Sequence, residues 1–146
     1  MASNRPYIKE KDHTHVLNHK YVGGTDSLYY AYVQSPLCDW LVTKMPTTLA
    51  PNLITLIGFA FNVLTQIVMI YKYGDSTEGP LDSWFCVFAC VSFFCYCVLD
   101  NCDGKQARRT GSGSPMGMLF DHGLDATTAV LQNIQIQRMM QCGNGW

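Results

Sequence analysis

Two apolar runs separated by a short polar turn constrain this chain more than any other feature. "LITLIGFAFNVLTQIVMIYKY", Leu53 to Tyr73, carries no charge before Lys72, and "LDSWFCVFACVSFFCYCVL", Leu81 to Leu99, carries none after Asp82. At about 1.5 Å rise per residue, each is long enough as a helix to cross a hydrocarbon core of roughly 30 Å. A segment in lipid has no water to satisfy its N–H and C=O groups, so helix is the form available to it. Composition agrees: 48% of the residues are hydrophobic and only 14% charged, against about 25% charged in ordinary globular proteins. The expected fold class is an all-α membrane protein, a helical transmembrane bundle fragment with two full spans and a partial third helix.

The remaining segments follow from that frame. Residues 1–26 mix charge and histidine without periodicity and read as a polar cytosolic arm, with no apolar core of the kind a signal peptide needs. Residues 27–50 place Leu28, Tyr32, Leu37, Trp40 and Leu41 at mixed helical spacings, with Pro36 set to kink or divide the helix. This is an amphipathic, interfacial helix region, packed on protein or on the membrane surface. Pro51 and Asn52 open the first span, because proline fits a first helical turn. Tyr71 and Tyr73 suit the far interface. Arg5, Lys9, Lys11, Lys20 and Lys44 precede the first span, Lys72 alone lies between the spans, and Lys105, Arg108 and Arg109 follow the second. That asymmetry puts the N-terminus and the segment after Leu99 in the cytosol. The last part begins like a third helix but turns polar after about Leu131, so residues 132–146 read as an atypical polar tail beyond a core of 51–131. The net charge of −1 offers no basic field for nucleic acid. Of seven cysteines, Cys86, Cys90, Cys95 and Cys97 lie inside the second apolar run as small hydrophobes, in no zinc-site spacing.

Within "VLDNCDGKQARRTGSGSPMGMLFDHGLDA" stand Asp100, Asp103, Asp121 and Asp125. The first two are three apart and the second two four apart, so each pair shares a helix face. Gly117 lies four before Asp121 on the same face. Two helices joined at the cytosolic side bring their adjoining ends to one depth, and all four carboxylates can converge there. Buried together they would repel, and an aspartate at mid-bilayer alone costs roughly 2.5–3.5 kcal/mol. Two Mg²⁺ or Mn²⁺ ions would neutralise them, and such a pair is a recurrent device for displacement at phosphorus. The loop "GKQARRTGSGSP" adds Lys105, Arg108 and Arg109 for phosphate oxygens and Gly104 for close backbone approach. An EF-hand fails, since Gly104 at its sixth position puts Leu99 first and Thr110 twelfth. A P-loop fails for want of the preceding glycine and the hydroxyl after Lys105. The residues point to phosphoryl transfer from a diphosphate donor.

The same residues resemble the signature of the CDP-alcohol phosphotransferase family, D-x2-D-G-x2-A-R-x8-G-x3-D-x3-D, at Asp100, Asp103, Gly104, Ala107, Arg108, Gly117, Asp121 and Asp125. The flanking "LFDHG" and "APNLITLIGF" look most like the eukaryotic choline and ethanolamine phosphotransferases. The resemblance implies transfer of phosphoethanolamine or phosphocholine from CDP-ethanolamine or CDP-choline to diacylglycerol, with release of CMP, in phospholipid biosynthesis. It implies metal ligation by Asp100, Asp103, Asp121 and Asp125, with Asp125 or His122 in proton transfer. Asn52, Gly104, Lys105, Arg108 and Gly117 would bind substrate. It implies an integral membrane enzyme of the endoplasmic reticulum or Golgi with its site facing the cytosol and membrane lipid around it, a second copy being a candidate partner. Met118 stands where the eukaryotic members commonly show glutamate. The family continues through further spans, so the chain is expected to be an N-terminal portion that is weak or inactive alone. The alternative is a truncated, non-catalytic membrane protein that binds metal or CDP-alcohol or associates with the full-length enzyme.

Overall fold

The computed structural model describes residues 27–76 and 78–141; the expected arm over 1–26 and the last residues of the expected tail, 142–146, lie outside them. Helix α1 is Ser35–Lys44, entered without a break from a π-helical turn, Tyr30–Gln34. Helices α2, α3 and α4 are Pro51–Tyr73, Ser83–Thr110 and Pro115–Met139. Among the described residues there is no strand.

Pro36 marks a change of helix type rather than a break. The Ser35 N–H donates to Tyr30 O across five residues, and a wider turn is a known way to accommodate a proline that has no N–H and crowds the preceding turn.

Both apolar runs are helices of spanning length, and each shows lipid-compatible residues outward: Leu56, Ile57, Leu64 and Ile67 on α2, and Val87, Val91, Phe93 and Phe94 on α3. Their inner seams are different. Thr55, Gly58, Asn62, Thr65 and Met69 line one side of α2, and Phe85, Ala89 and Ser92 one side of α3, all buried. The three-and-four spacing keeps each set on one face. Gly58 lets the two helices approach closely: a Cβ there would meet Leu99 Cβ at 3.3 Å, the kind of contact that small residues allow in membrane bundles. At the far interface Lys72 pairs with Asp82 at 2.7 Å, and Tyr73 and Trp84 donate to the same carboxylate. This anchored aromatic pair fits the expected interface.

Helix α3 does not end at Leu99. It runs on to Thr110, so Lys105, Arg108 and Arg109, expected on a loop, are helical. Lys, Gln, Ala and Arg all favour helix, and one glycine at 104 costs only about 1 kcal/mol. The stop comes at Gly111, whose φ of 65° is the left-handed conformation of a helix terminus. Gly111 and Ser112 both donate to Ala107 O. After a connection of Gly111 to Ser114, Ser114 accepts from Gly117 N at 3.0 Å and Pro115 starts α4.

Helix α4 packs on α2. Residues 132–139 continue it, and its polar side chains are ordered by face: Asp121, Asp125, Thr128, Gln132, Gln135 and Arg138 form an inward seam, while Leu119, Val130, Ile134 and Ile136 face out. Gln132 donates to Asn62 Oδ1 and Gln135 to Asn62 O and Gln66 Oε1. The polarity that makes this a poor lipid-facing span is turned toward α2.

Helix α1 lies against α3. Cys38 and Val42 join Ile54, Val98 and Cys102 in a small core, with Trp40 and Tyr32 outward. Gln106, fully buried, donates to Pro46 O and Leu49 O, and Arg109 to Val42 O and Met45 O. The last turns of α3 thereby hold the end of α1 and the connection into α2.

Candidate metal and phosphate site

The site forms where α3 ends and α4 begins, beside the first turns of α2. Ligand atoms of Asp100, Asp103 and Asp121 lie within 4.8 Å of one another, and so do those of Asp121, His122 and Asp125. Asp121 belongs to both groups. One set is three carboxylates and the other two carboxylates with an imidazole, and two such sets sharing one carboxylate could hold a pair of divalent cations.

Each carboxylate is held by a different part of the bundle. Asp103 is buried and accepts from Thr55 Oγ1 at 2.5 Å. Asp125 Oδ1 accepts from Tyr96 OH at 2.7 Å. Its Oδ2 lies 3.7 Å from His122 Nδ1, and Asp121 Oδ2 lies 4.0 Å from the same nitrogen. Both distances exceed a hydrogen bond. His122 itself is largely exposed.

Asp100 Oδ1 and Asp121 Oδ1 are buried with no hydrogen-bond partner. A buried polar atom without a partner is rare in native structures, and two orphaned carboxylate oxygens on neighbouring ligands suit a cation. Burial, and then the charge of Asp125, raise the Asp121 carboxyl above its ordinary range. The carboxylates, the orphaned oxygens and the spacing together fit a divalent cation held through oxygen.

Of the residues expected at substrate, four fall into two close pairs, Asn52 with Gly117 and Gly104 with Arg108. A Cβ on Gly117 would lie 3.3 Å from Asn52 Oδ1, so the start of α2 and the start of α4 meet. Arg108 is exposed, and a Cβ on Gly104 would sit 3.6 Å from its Nη1. Lys105 is not brought to the site. Its ammonium donates to Asp39 Oδ1 at 2.6 Å and Ser35 Oγ at 2.8 Å, tying α3 to α1. The reason is the helical path, which turns Lys105 and Arg109 toward α1 and leaves Arg108 outward. Met118 is exposed at the same end.

Thr55 and Tyr96 were not singled out by sequence, although a signal for each exists. Thr55 shares the α2 seam with Asn62 and Thr65, and Tyr96 lies four residues before Asp100 on α3.

A sequence model described as "CDP-alcohol phosphatidyltransferase" matches residues 48–143. A Dictyostelium discoideum protein named "Uncharacterized CDP-alcohol phosphatidyltransferase class-I family protein 1" is 36% identical over 94% of this chain and 36% of its own length. "Cholinephosphotransferase 1" of Xenopus laevis is 39% identical over 88% of this chain and 32% of its own length. "Choline/ethanolaminephosphotransferase 2" of Arabidopsis thaliana is 39% identical over 86% of this chain and 32% of its own length. The chain thus spans about a third of the length of the curated relatives it matches.

Proposed function

From the chain's membership of the CDP-alcohol phosphatidyltransferase family, we propose that it carries the metal and CDP-alcohol half of an enzyme that transfers phosphoethanolamine or phosphocholine to diacylglycerol. The observation that carries this reading is the pair of ligand groups sharing Asp121, with buried unpaired oxygens on Asp100 and Asp121. The relatives named above supply the alcohols, choline and ethanolamine.

Asp100, Asp103, Asp121 and Asp125 would hold two Mg²⁺ or Mn²⁺ ions, which when bound neutralise the diphosphate and polarise the transferred phosphoryl group. Thr55 fixes Asp103 and Tyr96 fixes one oxygen of Asp125, leaving Asp125 Oδ2 available to a metal or to a proton. Gly104 leaves backbone open beside the diphosphate, and the exposed Arg108 guanidinium donates to its oxygens. Asn52, which meets Gly117, would contact the CDP moiety. The hydroxyl oxygen of diacylglycerol attacks the phosphorus that bears the alcohol. The bond from that phosphorus to the bridging oxygen breaks, CMP leaves with its electrons, and the hydroxyl proton passes to Asp125, or to His122 at its edge. Lys105 takes a structural role, bracing α1. By the lysine and arginine distribution this end faces the cytosol, in the endoplasmic reticulum or Golgi, with α1 at the membrane interface.

Titrating the detergent-solubilised chain with CDP-ethanolamine or CDP-choline tests the reading calorimetrically. Binding should require Mn²⁺ or Mg²⁺ and disappear in Asp121→Asn. Equal binding without metal, or in that variant, would contradict it.

A further inference from the structure

At the end of α4 remote from the aspartates, Arg138 is 3% exposed. Its guanidinium donates to the carbonyls of Ser76 and Glu78 and, at 3.4 Å, to Tyr73 O. Tyr73 is the last residue of α2, where carbonyls lack intrahelical partners. Next to it Gln141 donates to Gly79 O at 2.8 Å and accepts from Gly79 N at 2.9 Å. Gly79 has a φ of 105°, a conformation that favours glycine, and it lies against Arg138. A buried charge and a reciprocal amide pair thus fasten α4 to the chain between α2 and α3.

Among the described residues, α4 is otherwise tied to α3 by one hydrogen bond, from Tyr96 OH to Asp125 Oδ1 at 2.7 Å, which involves no cation. Its near end hangs on a short connection of glycine and serine, Gly111 to Ser114. Its middle meets α2 through amides, Gln132 and Gln135 on Asn62 and Gln66, and flexible amides can find partners in more than one register. The carboxylates at the near end repel one another when no cation is bound. Under those conditions one specific buried charge is an effective register device.

We infer that Arg138, with Gln141, is a positioning residue that sets the register of α4 on α2 and thereby places Asp121 and Asp125 opposite Asp100 and Asp103. The contact acts over the 21 steps from Gly117 to Arg138, about 30 Å at 1.5 Å per residue. Losing it frees α4 to slide toward an adjacent turn, about 5.4 Å away. The consequence for the aspartates rests on the metal reading above, whereas the register does not.

A cross-link separates the two. In the double variant Asn52→Cys/Gly117→Cys, the two positions face each other at the near end, and a short thiol-reactive linker should join them, as identified by peptide mapping. Adding Arg138→Leu should lower the yield several-fold. Arg138→Lys, which keeps charge and donors, should restore most of it, a rescue that general loosening would not give. Should Arg138→Leu fail to fold, Gln141→Ala serves in its place and should lower the yield partially. An unchanged yield in Arg138→Leu, or in Gln141→Ala where it stands in, would overturn the proposal. So would absence of the cross-link in the starting double variant. Mn²⁺ affinity of the otherwise unmodified chain, read separately, should fall about tenfold in Arg138→Leu, in the range seen when supports of metal ligands are removed. If the unsubstituted chain binds no Mn²⁺ while the cross-link behaves as expected, the metal reading fails and the register assignment stands.

Discussion

Asp100 and Asp121, where α3 meets α4, keep buried carboxylate oxygens without partners, while at the opposite end the Arg138 guanidinium donates through Nη1 and Nη2 to three carbonyls and leaves only Nε without a partner. Both ends bury charge in a chain with little of it. At one end like charges are gathered and left short of partners, an arrangement that destabilises the metal-free fold. At the other a single charge meets three backbone carbonyls through its two terminal nitrogens and strengthens it. The contrast separates groups arranged to receive a ligand from groups arranged to hold the bundle.

Substitutions at the two ends should therefore move stability in opposite directions. Arg138→Leu leaves three carbonyls without their donor and should destabilise the metal-free chain by roughly 3 kcal/mol, since hydrogen bonds to charged groups contribute about 1.5–3 kcal/mol each before the bundle relaxes. Denaturation in detergent would read it, and a neutral outcome would break the comparison. Asp121→Asn should do the reverse. The folded Asp121 carboxyl is raised above its ordinary value of 3.8 by burial and by Asp125, so the folded chain binds that proton more tightly than the unfolded chain. Its contribution to stability is fully present below the ordinary value and is lost as pH rises through the raised one. Asp121→Asn should flatten this loss in metal-free protein, as pH-dependent melting would show.

Supporting residues sharpen the same distinction on a smaller scale. Thr55→Val removes the donor to the buried Asp103 carboxylate and should weaken Mn²⁺ binding about tenfold while lowering metal-free stability by about 1.5 kcal/mol. Lys105→Ala should cost less than about 1 kcal/mol, because its partner Asp39 is 64% exposed. It should also leave CDP-alcohol affinity unchanged; a large loss of affinity would return Lys105 to the phosphate site.

The same contrast explains what could be read from the sequence. The spans were legible because an uninterrupted apolar run has few other solutions, and the four aspartates because their spacing sets them on two helix faces. The path from Asp100 to Thr110 was not, since glycine, lysine and arginine before a Gly-Ser stretch look like loop. Only packing on α1, through Gln106 and Arg109, reveals a continuing helix. The tie from Lys105 to α1 was hidden for the same reason: its partner Asp39 lies 66 residues away. The seam of α4 was readable in principle, since Asp121, Asp125, Thr128, Gln132, Gln135 and Arg138 recur at intervals of three and four. Residue counts hid what spacing would have shown.

The central claim is that one carboxylate, Asp121, is common to two cation sites. Electron paramagnetic resonance titration of the purified chain with Mn²⁺ tests it most directly. Two bound ions per chain, spin-coupled at saturation and both lost in Asp121→Asn, are the predicted result. A single uncoupled ion, or two that persist in Asp121→Asn, would contradict it.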